Sequence, residues 1–294
     1  MKVLIATNIR DQKGLARDGE ILSALLSSWG HQVETLDFRA EPQQGGFHLA
    51  IHLEHVEPRH LGHARRNWYV PNAEWHMIGA QNALAENRFE RVLCKTRQAE
   101  RLFVPMTPAA VFVGFESRDR MLQDVPRERV FMHAPGQSGF RATAQVLQAF
   151  DGRQPGASLV LPRAMPEAQY IREQNRCLFH LCPSELEGWG HSIHEALSVG
   201  AIVLTTDAPP MNEIDGVALR IPVEKRDQFR LVERVQVGKD GVSTAVTWAL
   251  GLEAEEMLRI RAAARDAYEA ERANFRARLG ELVAQASKEL EPAA

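Results

Sequence analysis

Short apolar runs separated by helix-length intervals constrain this chain more than any other feature. KVLIAT at 2–7 reads as a buried strand. The polar loop NIRDQKG follows, then a helical pattern with Leu15, Ile21, Leu22, Leu25 and Leu26 on one side. Gly30 stops that helix and a second strand opens at Gln32. Strand, helix and strand in that order form a right-handed parallel crossover, the start of a doubly wound sheet. FHLAIHL (47–53), NWYVP (67–71), RVLCKT (91–96) and AAVFVGF (109–115) predict further strands separated by helix-sized gaps.

A second cycle starts near Val130. RVFMHA (129–134), ASLVLP (157–162), RCLFHLCP (176–183) and AIVLTT (201–206) predict strands with helices between them. The polar stretch SRDRMLQDVPRER (117–129) reads as the domain linker. The sequence thus predicts an α/β chain of two Rossmann-like doubly wound domains facing across a cleft, 1–122 and 123–294. The tail from Leu252 is helical, with Met257, Leu258, Ala264, Tyr268, Phe275, Leu279 and Leu282 as a core-packing stripe. The last helix is expected to pack back on the first domain. Ligands of open parallel sheets bind beyond the carboxyl ends of the strands, which points to a ligand held between the two domains.

Composition narrows the partners. The 294 residues carry a formal charge of −3, so no global field attracts nucleic acid or anionic lipid. Cys94, Cys177 and Cys182 have no zinc spacing, and their odd number fits reduced packing thiols. The N-terminal apolar run is too short for a signal peptide, and no run approaches the ~18 apolar residues of a membrane span. A cytoplasmic protein is the expectation.

The richest stretch is CPSELEGWGHSIHEALSVGAIVLTTDAPPMNE, Cys182 to Glu213. Pro183 ends a strand, Gly188 and Gly190 let the backbone approach a ligand closely, and HSIHEALSVG forms a short helix closed by Gly200. Ser192 falls near the helix start, where free N–H groups and the dipole favour a phosphate. Glu187 in the loop and Glu195 inside the helix can accept hydroxyls from a sugar and a ribose on either side of a diphosphate. That set describes a nucleotide-sugar site. The plainer reading makes Glu187 a loop carboxylate and Glu195 an exposed helix residue.

From Pro183 to Asp207 the chain resembles the retaining glycosyltransferases of family 4, of GT-B fold. These carry Pro-Ser-x-x-Glu-Gly-Phe-Gly, a second Glu that closes an E-x7-E motif, then an apolar strand and Thr-Asp; Trp189 replaces the usual Phe. WGHQVETL resembles the family's step into strand two. The resemblance implies metal-independent sugar transfer with retention of configuration from a UDP- or GDP-linked donor to an unknown acceptor. It assigns Glu187 to the donor sugar and Glu195 to the ribose, with backbone around Gly188, Gly190, His191, Ser192 and Ile193 facing sugar and diphosphate. It implies a phosphate loop with Gly136, Ser138 and Arg141. Arg141 stands at the family's lysine, Gln137 near its arginine, and Ala142 at its glycine. It further implies no metal and no cofactor beyond the co-substrate.

Other residues keep two readings. Arg10 and Lys13 are candidate extra cations or solvated loop charges. His52 or His55, at the end of the third strand, is a candidate contact to the donor sugar in a catalytic role. Asn72 and Glu74 are candidate contacts to donor or acceptor. His52-x-x-His55 and His60-x-x-His63 only weakly suggest a metal site. Asn212 either caps a helix or aims backbone at the sugar. The loop after KVLIAT lacks Gly-x-Gly-x-x-Gly, which argues against a dinucleotide dehydrogenase. The remaining alternative is a non-catalytic nucleotide-sugar binder or a partner subunit of an active transferase.

Overall fold

The computed structural model describes residues 1–10, 14–43, 45–136, 139–151 and 156–289. The chain divides into two units, 1–116 with 273–294, and 117–272.

In the first unit six strands run parallel: β1 (Lys2–Thr7), β2 (Gln32–Asp37), β3 (Phe47–Leu53), β4 (Ala64–Val70), β5 (Arg91–Cys94) and β6 (Ala110–Phe112). Their order is β2-β1-β3-β4-β5-β6. Helices α1 (Gly14–Ser28), α2 (Ile78–Ala85) and α3 (Arg97–Phe103) link strands within this unit. The expected α1 face is the observed one, with Leu15, Ile21, Leu22, Leu25 and Leu26 all buried. The central strands β1 and β3 are buried almost throughout because helices cover a parallel sheet on both sides. Two sequence expectations change. Strand β4 begins at Ala64 rather than Asn67, and the β3–β4 connection holds only a 3-10 turn, Pro58–Gly62, in place of a helix.

The second unit has five parallel strands, β7 (Glu128–Met132), β8 (Leu159–Val160), β9 (Cys177–Cys182), β10 (Ile202–Thr206) and β11 (Leu219–Ile221). The order is β11-β10-β9-β7-β8. Helices α4 (Thr143–Phe150), α5 (Glu167–Arg176), α6 (His191–Ser198) and α7 (Lys239–Leu250) belong to this unit. Phe131, Phe179, Ile202, Leu204, Val242 and Val246 pack in one core layer, and Ile193, Leu197, Val203 and Met211 in another. An antiparallel hairpin, β12 (Val223–Phe229) and β13 (Val232–Val237), is appended to this sheet plan and was not expected.

Helix α8 (Ala254–Lys288) closes the chain. Of its expected stripe, Ala264, Tyr268, Phe275 and Leu279 are buried, but Leu258 is 62% exposed and Val283 is buried next to the expected Leu282. The segment expected as a solvated linker is also different. Ser117 and Arg120 are buried in the second unit. Arg120 N–H donates to Ser198 Oγ at 3.0 Å, and Asn175 Nδ2 donates to Arg120 O at 2.7 Å. Arg120 can be buried there because its guanidinium pairs with Glu167 and Glu195. Among the described residues no helix is long and apolar enough to cross a membrane.

Candidate functional site

Strand β9 ends at Cys182 and the chain turns through 183–190 into α6. Gly190 holds φ +89°, a left-handed conformation that a side chain would strain, and it caps α6. A Cβ there would meet Ile193 Cδ1 at 3.3 Å. Helix α6 therefore begins abruptly, with Gly190, His191 and half-buried Ser192 at its positive end. The N–H of Ile193, expected to face the diphosphate, instead donates to Gly190 O at 2.9 Å as the first turn tightens. Gly188 lies half-buried in the same loop.

Arg141 is the cation at this helix start. Its Nη1 donates to Ser184 Oγ at 2.7 Å and to Ser192 Oγ at 3.3 Å, and it pairs with Glu187 Oε1. Ser184 Oγ also donates to Glu187 Oε1 at 2.7 Å. The sequence-predicted Glu187, Arg141, Ser192 and Gly190 thus form one cluster within the second unit. Gly136 holds φ +61°, and a Cβ on it would approach Arg141 Nε at 3.5 Å. Gln137 and Ser138, like Lys13, lie outside the described residues.

Several supports of this cluster were not foreseen. His133 Nδ1 bonds Leu181 O at 2.9 Å, so that nitrogen carries the proton and Nε2 accepts from Thr143 Oγ1 at 2.8 Å. Burial holds His133 below the usual imidazole range, which keeps it in this neutral form. Thr143 opens α4 directly after Ala142, whose φ is +49°. Trp189 stacks on His194 at 3.9 Å, and its indole N–H donates to Ser117 Oγ at 3.1 Å. Ser117 Oγ also lies 2.8 Å from His191 Nδ1.

Glu195 is not an exposed helix residue: it is 1% exposed. Its Oε1 lies 3.4 Å from Arg120 Nη2, and its Oε2 accepts from Gln174 Nε2 at 3.4 Å. The far end of α6 is fastened by guanidinium groups. Arg127 donates to Val199 O, Arg261 to Gly200 O and Arg265 to Ser198 O, which satisfies terminal carbonyls and complements the dipole. Asn212 sits inside a 3-10 turn, Met211–Glu213, and does not cap it; its Nδ2 donates to Asp207 Oδ1 at 3.1 Å.

The first unit holds its own polar group at the carboxyl ends of its strands. His52 is fully buried, with Nε2 3.0 Å from Asn67 Oδ1 and its ring against Phe89. Burial pushes its pKa down to about 4. His52 therefore points into packed side chains, whereas His55 is half-buried and stacks on Phe38 at 4.2 Å. Beside it, Glu54 holds φ +59° with its carboxyl buried. Asn72 Nδ2 donates to Glu54 Oε2 at 2.8 Å, and His55 Nε2 lies 3.4 Å from Oε1. Burial lifts the Glu54 pKa from 4.5 to about 7. Glu74 is buried nearby on the turn Ala73–Trp75. Lys95 and Asp18 form an ion pair at 2.8 Å with both side chains enclosed. Arg10, 76% exposed, lies 3.9 Å from Asp37 Oδ2. The histidine-rich stretch does not converge. His60 Nε2 bonds Ala40 O and His63 Nε2 approaches Glu41 Oε2. Among the described residues no three His, Cys, Asp or Glu side chains are placed to hold a metal ion.

No family model matches the sequence, and no curated protein matches it. Solved structures do match the fold. Anabaena HepE, solved with UDP and glucose, superposes with a TM-score of 0.70 at 12% identity over 97% of this chain and all of that one. The GtfA/B complex matches with a TM-score of 0.61 at 11% identity over 91% of this chain. The pneumococcal O-GlcNAc transferase GtfA, solved with UDP and GlcNAc, matches with 0.58 at 15% identity over 81%. The chain spans 60% and 56% of the length of these last two. At these identities the likeness establishes the fold: an α/β chain with two parallel sheets of the GT-B kind.

Proposed function

We propose that the protein is a glycosyltransferase that moves a sugar from a nucleotide-sugar to an acceptor hydroxyl. The observation that carries this reading is the Arg141–Glu187–Ser184–Ser192 cluster at the start of α6. A cation and a helix N-terminus together suit a diphosphate. A carboxylate on the loop edge suits sugar hydroxyls. The fold neighbours solved with UDP and a sugar support a UDP-linked donor.

In this reading Arg141 and α6 hold the diphosphate and oppose the charge that grows on it as the glycosidic C–O bond breaks. Glu187 accepts sugar hydroxyls, and Glu195, enclosed with Arg120 and Gln174, turns from them to accept the ribose diol. The acceptor oxygen bonds to the anomeric carbon on the face that the phosphate leaves, and its proton passes to the departing phosphate oxygen. Configuration is then retained. Once the incoming diphosphate draws Arg141 from Glu187, Arg141 and the helix carry the charge requirement and the reaction runs without a divalent metal.

The second reading is a nucleotide-sugar binder without transfer, acting alone or as a partner subunit. It is favoured by the pairing of Arg141 with Glu187, which offsets the positive charge where a leaving diphosphate needs it. A thermal-shift panel of UDP-glucose, UDP-GlcNAc and GDP-mannose tests both readings. A bound donor at about 100 times its Kd stabilises the fold by about 2.7 kcal/mol. Release of nucleoside diphosphate on incubation separates transferase from binder. No shift with any nucleotide-sugar would sink both.

A further inference from the structure

The β12–β13 hairpin is the one antiparallel element of the second unit among the described residues, and it lands on the donor loop. Glu185 lies two residues before Glu187 and next to Ser184, and it is held at three points. Its N–H donates to Phe140 O at 2.9 Å. Its carbonyl accepts from Val235 N, on β13, at 3.1 Å. Its buried carboxylate takes Arg234 Nε at 2.7 Å and Nη2 at 2.6 Å, both on the same oxygen, Oε2. The same guanidinium stands 5.1 Å from the Phe140 ring centre, and Phe229 of β12 meets Phe140 edge-on at 5.5 Å. Phe140 precedes Arg141. The hairpin therefore grips both segments that meet at the cluster.

We propose that Arg234 is a positioning residue of the donor site: through Glu185 it fixes the loop that presents Glu187 to the donor sugar. This rests on the nucleotide-sugar reading. The alternative, that the hairpin only adds packing, leaves two observations without a role. Phe140 and Phe229 already pack the hairpin, yet an ion pair with a buried carboxylate and a guanidinium side chain 32% exposed also ties it to the loop, and such pairs are weak sources of stability. Two N–H groups of one guanidinium converging on one carboxylate oxygen instead supply orientation. The charged part of the grip falls on Glu185, while the diphosphate-binding groups have further supports. Arg141 faces Gly136, and α6 is fastened at its far end by Arg127, Arg261 and Arg265. Loosening Glu185 should thus move Glu187 more than it moves the diphosphate-binding groups.

The test compares Arg234→Gln, Arg234→Lys and the double variant Glu185→Gln/Arg234→Gln with the unaltered protein. Affinities are measured for UDP-glucose and for UDP, and for GDP-mannose and GDP, with melting temperatures alongside. The expected result is about tenfold weaker binding of the nucleotide-sugar by Arg234→Gln and by the double variant, the loss of one hydrogen bond to a charged group. Binding of the nucleoside diphosphate alone changes less than about twofold. Arg234→Lys, which keeps charge but not the fork, recovers part of the loss. Folded variants that keep the sugar-dependent gain in affinity overturn the proposal. So does a set in which every variant loses its fold, since the pair would then be purely structural. If the unaltered protein binds none of the four probes, the donor reading itself has failed, and this role fails with it.

Discussion

Arg120 Nη2 and Glu195 Oε1 lie 3.4 Å apart, with the two side chains 6% and 1% exposed. The first comes from the segment that reads as a linker and the second from the helix that carries the site. Breaking such a pair strands a buried carboxylate. Arg120→Met should cost about 3–5 kcal/mol in urea unfolding. Adding Glu195→Gln should return a large part of it, because the stranded charge is gone. A cost below about 1 kcal/mol for Arg120→Met would mean that Glu195 is reached by water.

Glu187→Ala should abolish transfer, by about 100-fold or more, while the melting temperature stays close to that of the unaltered protein. Arg141 keeps Ser184 and Ser192 as partners in that variant, so little of the fold is disturbed. Full turnover by a folded Glu187→Ala protein would remove the carboxylate from the mechanism.

Ala142 occupies a left-handed conformation, φ +49° and ψ +34°, where the resembling family places glycine. An L-residue there is strained by about 1–2 kcal/mol. Ala142→Gly relieves that strain but gives up a buried methyl and loosens the unfolded chain. The expected net change is within about 0.5 kcal/mol. Ala149→Gly, in the same helix and the same core, has no strain to release and should cost about 1 kcal/mol. Calorimetry of the two variants makes the comparison; equal costs would contradict the left-handed backbone at Ala142.

Glu54 provides a pH test. Its folded pKa stands near 7 against an ordinary 4.5, so the folded state binds the proton more tightly than the unfolded one. Stability from this group is therefore fully present below about pH 4.5 and is lost as the pH rises toward 7. The gap is worth roughly 3 kcal/mol. His52 acts in the opposite sense: its folded pKa of about 4 makes stability rise between about 4 and 6.5. Only the difference between proteins isolates Glu54. Glu54→Gln should match the unaltered protein near pH 4.5 and exceed it by roughly 3 kcal/mol at pH 8. A pH-independent difference would show that the carboxyl is charged in the fold.

Much of the second unit is legible in sequence for a plain reason. RCLFHLCP and AIVLTT are mostly apolar because both faces of their strands are covered. The glycines around Trp189 mark the abrupt entry to α6. What escaped is structure made by pairing rather than by patterning. VEKRDQF is almost wholly exposed and polar, and becomes β12 only through its ladder with β13. Arg120 and Asp119 look solvated until Glu195 and Arg265 meet them. Glu54 gave no signal, because its left-handed backbone is held by bonds to the neighbouring strand, from its N–H to Val70 O and from Tyr69 Oη to its carbonyl. Its role in the chain is set by distant sequence.

The three guanidinium groups on the last carbonyls of α6 have a thermodynamic consequence. Helix ends commonly fray, and a frayed end would have to be ordered each time a ligand arrives. Here the far end of the helix is ordered once, when the chain folds, so under the proposed reading an anion captured at the opposite end meets a helix that does not have to be ordered again. The entropy of that ordering is then met by folding and not by the ligand.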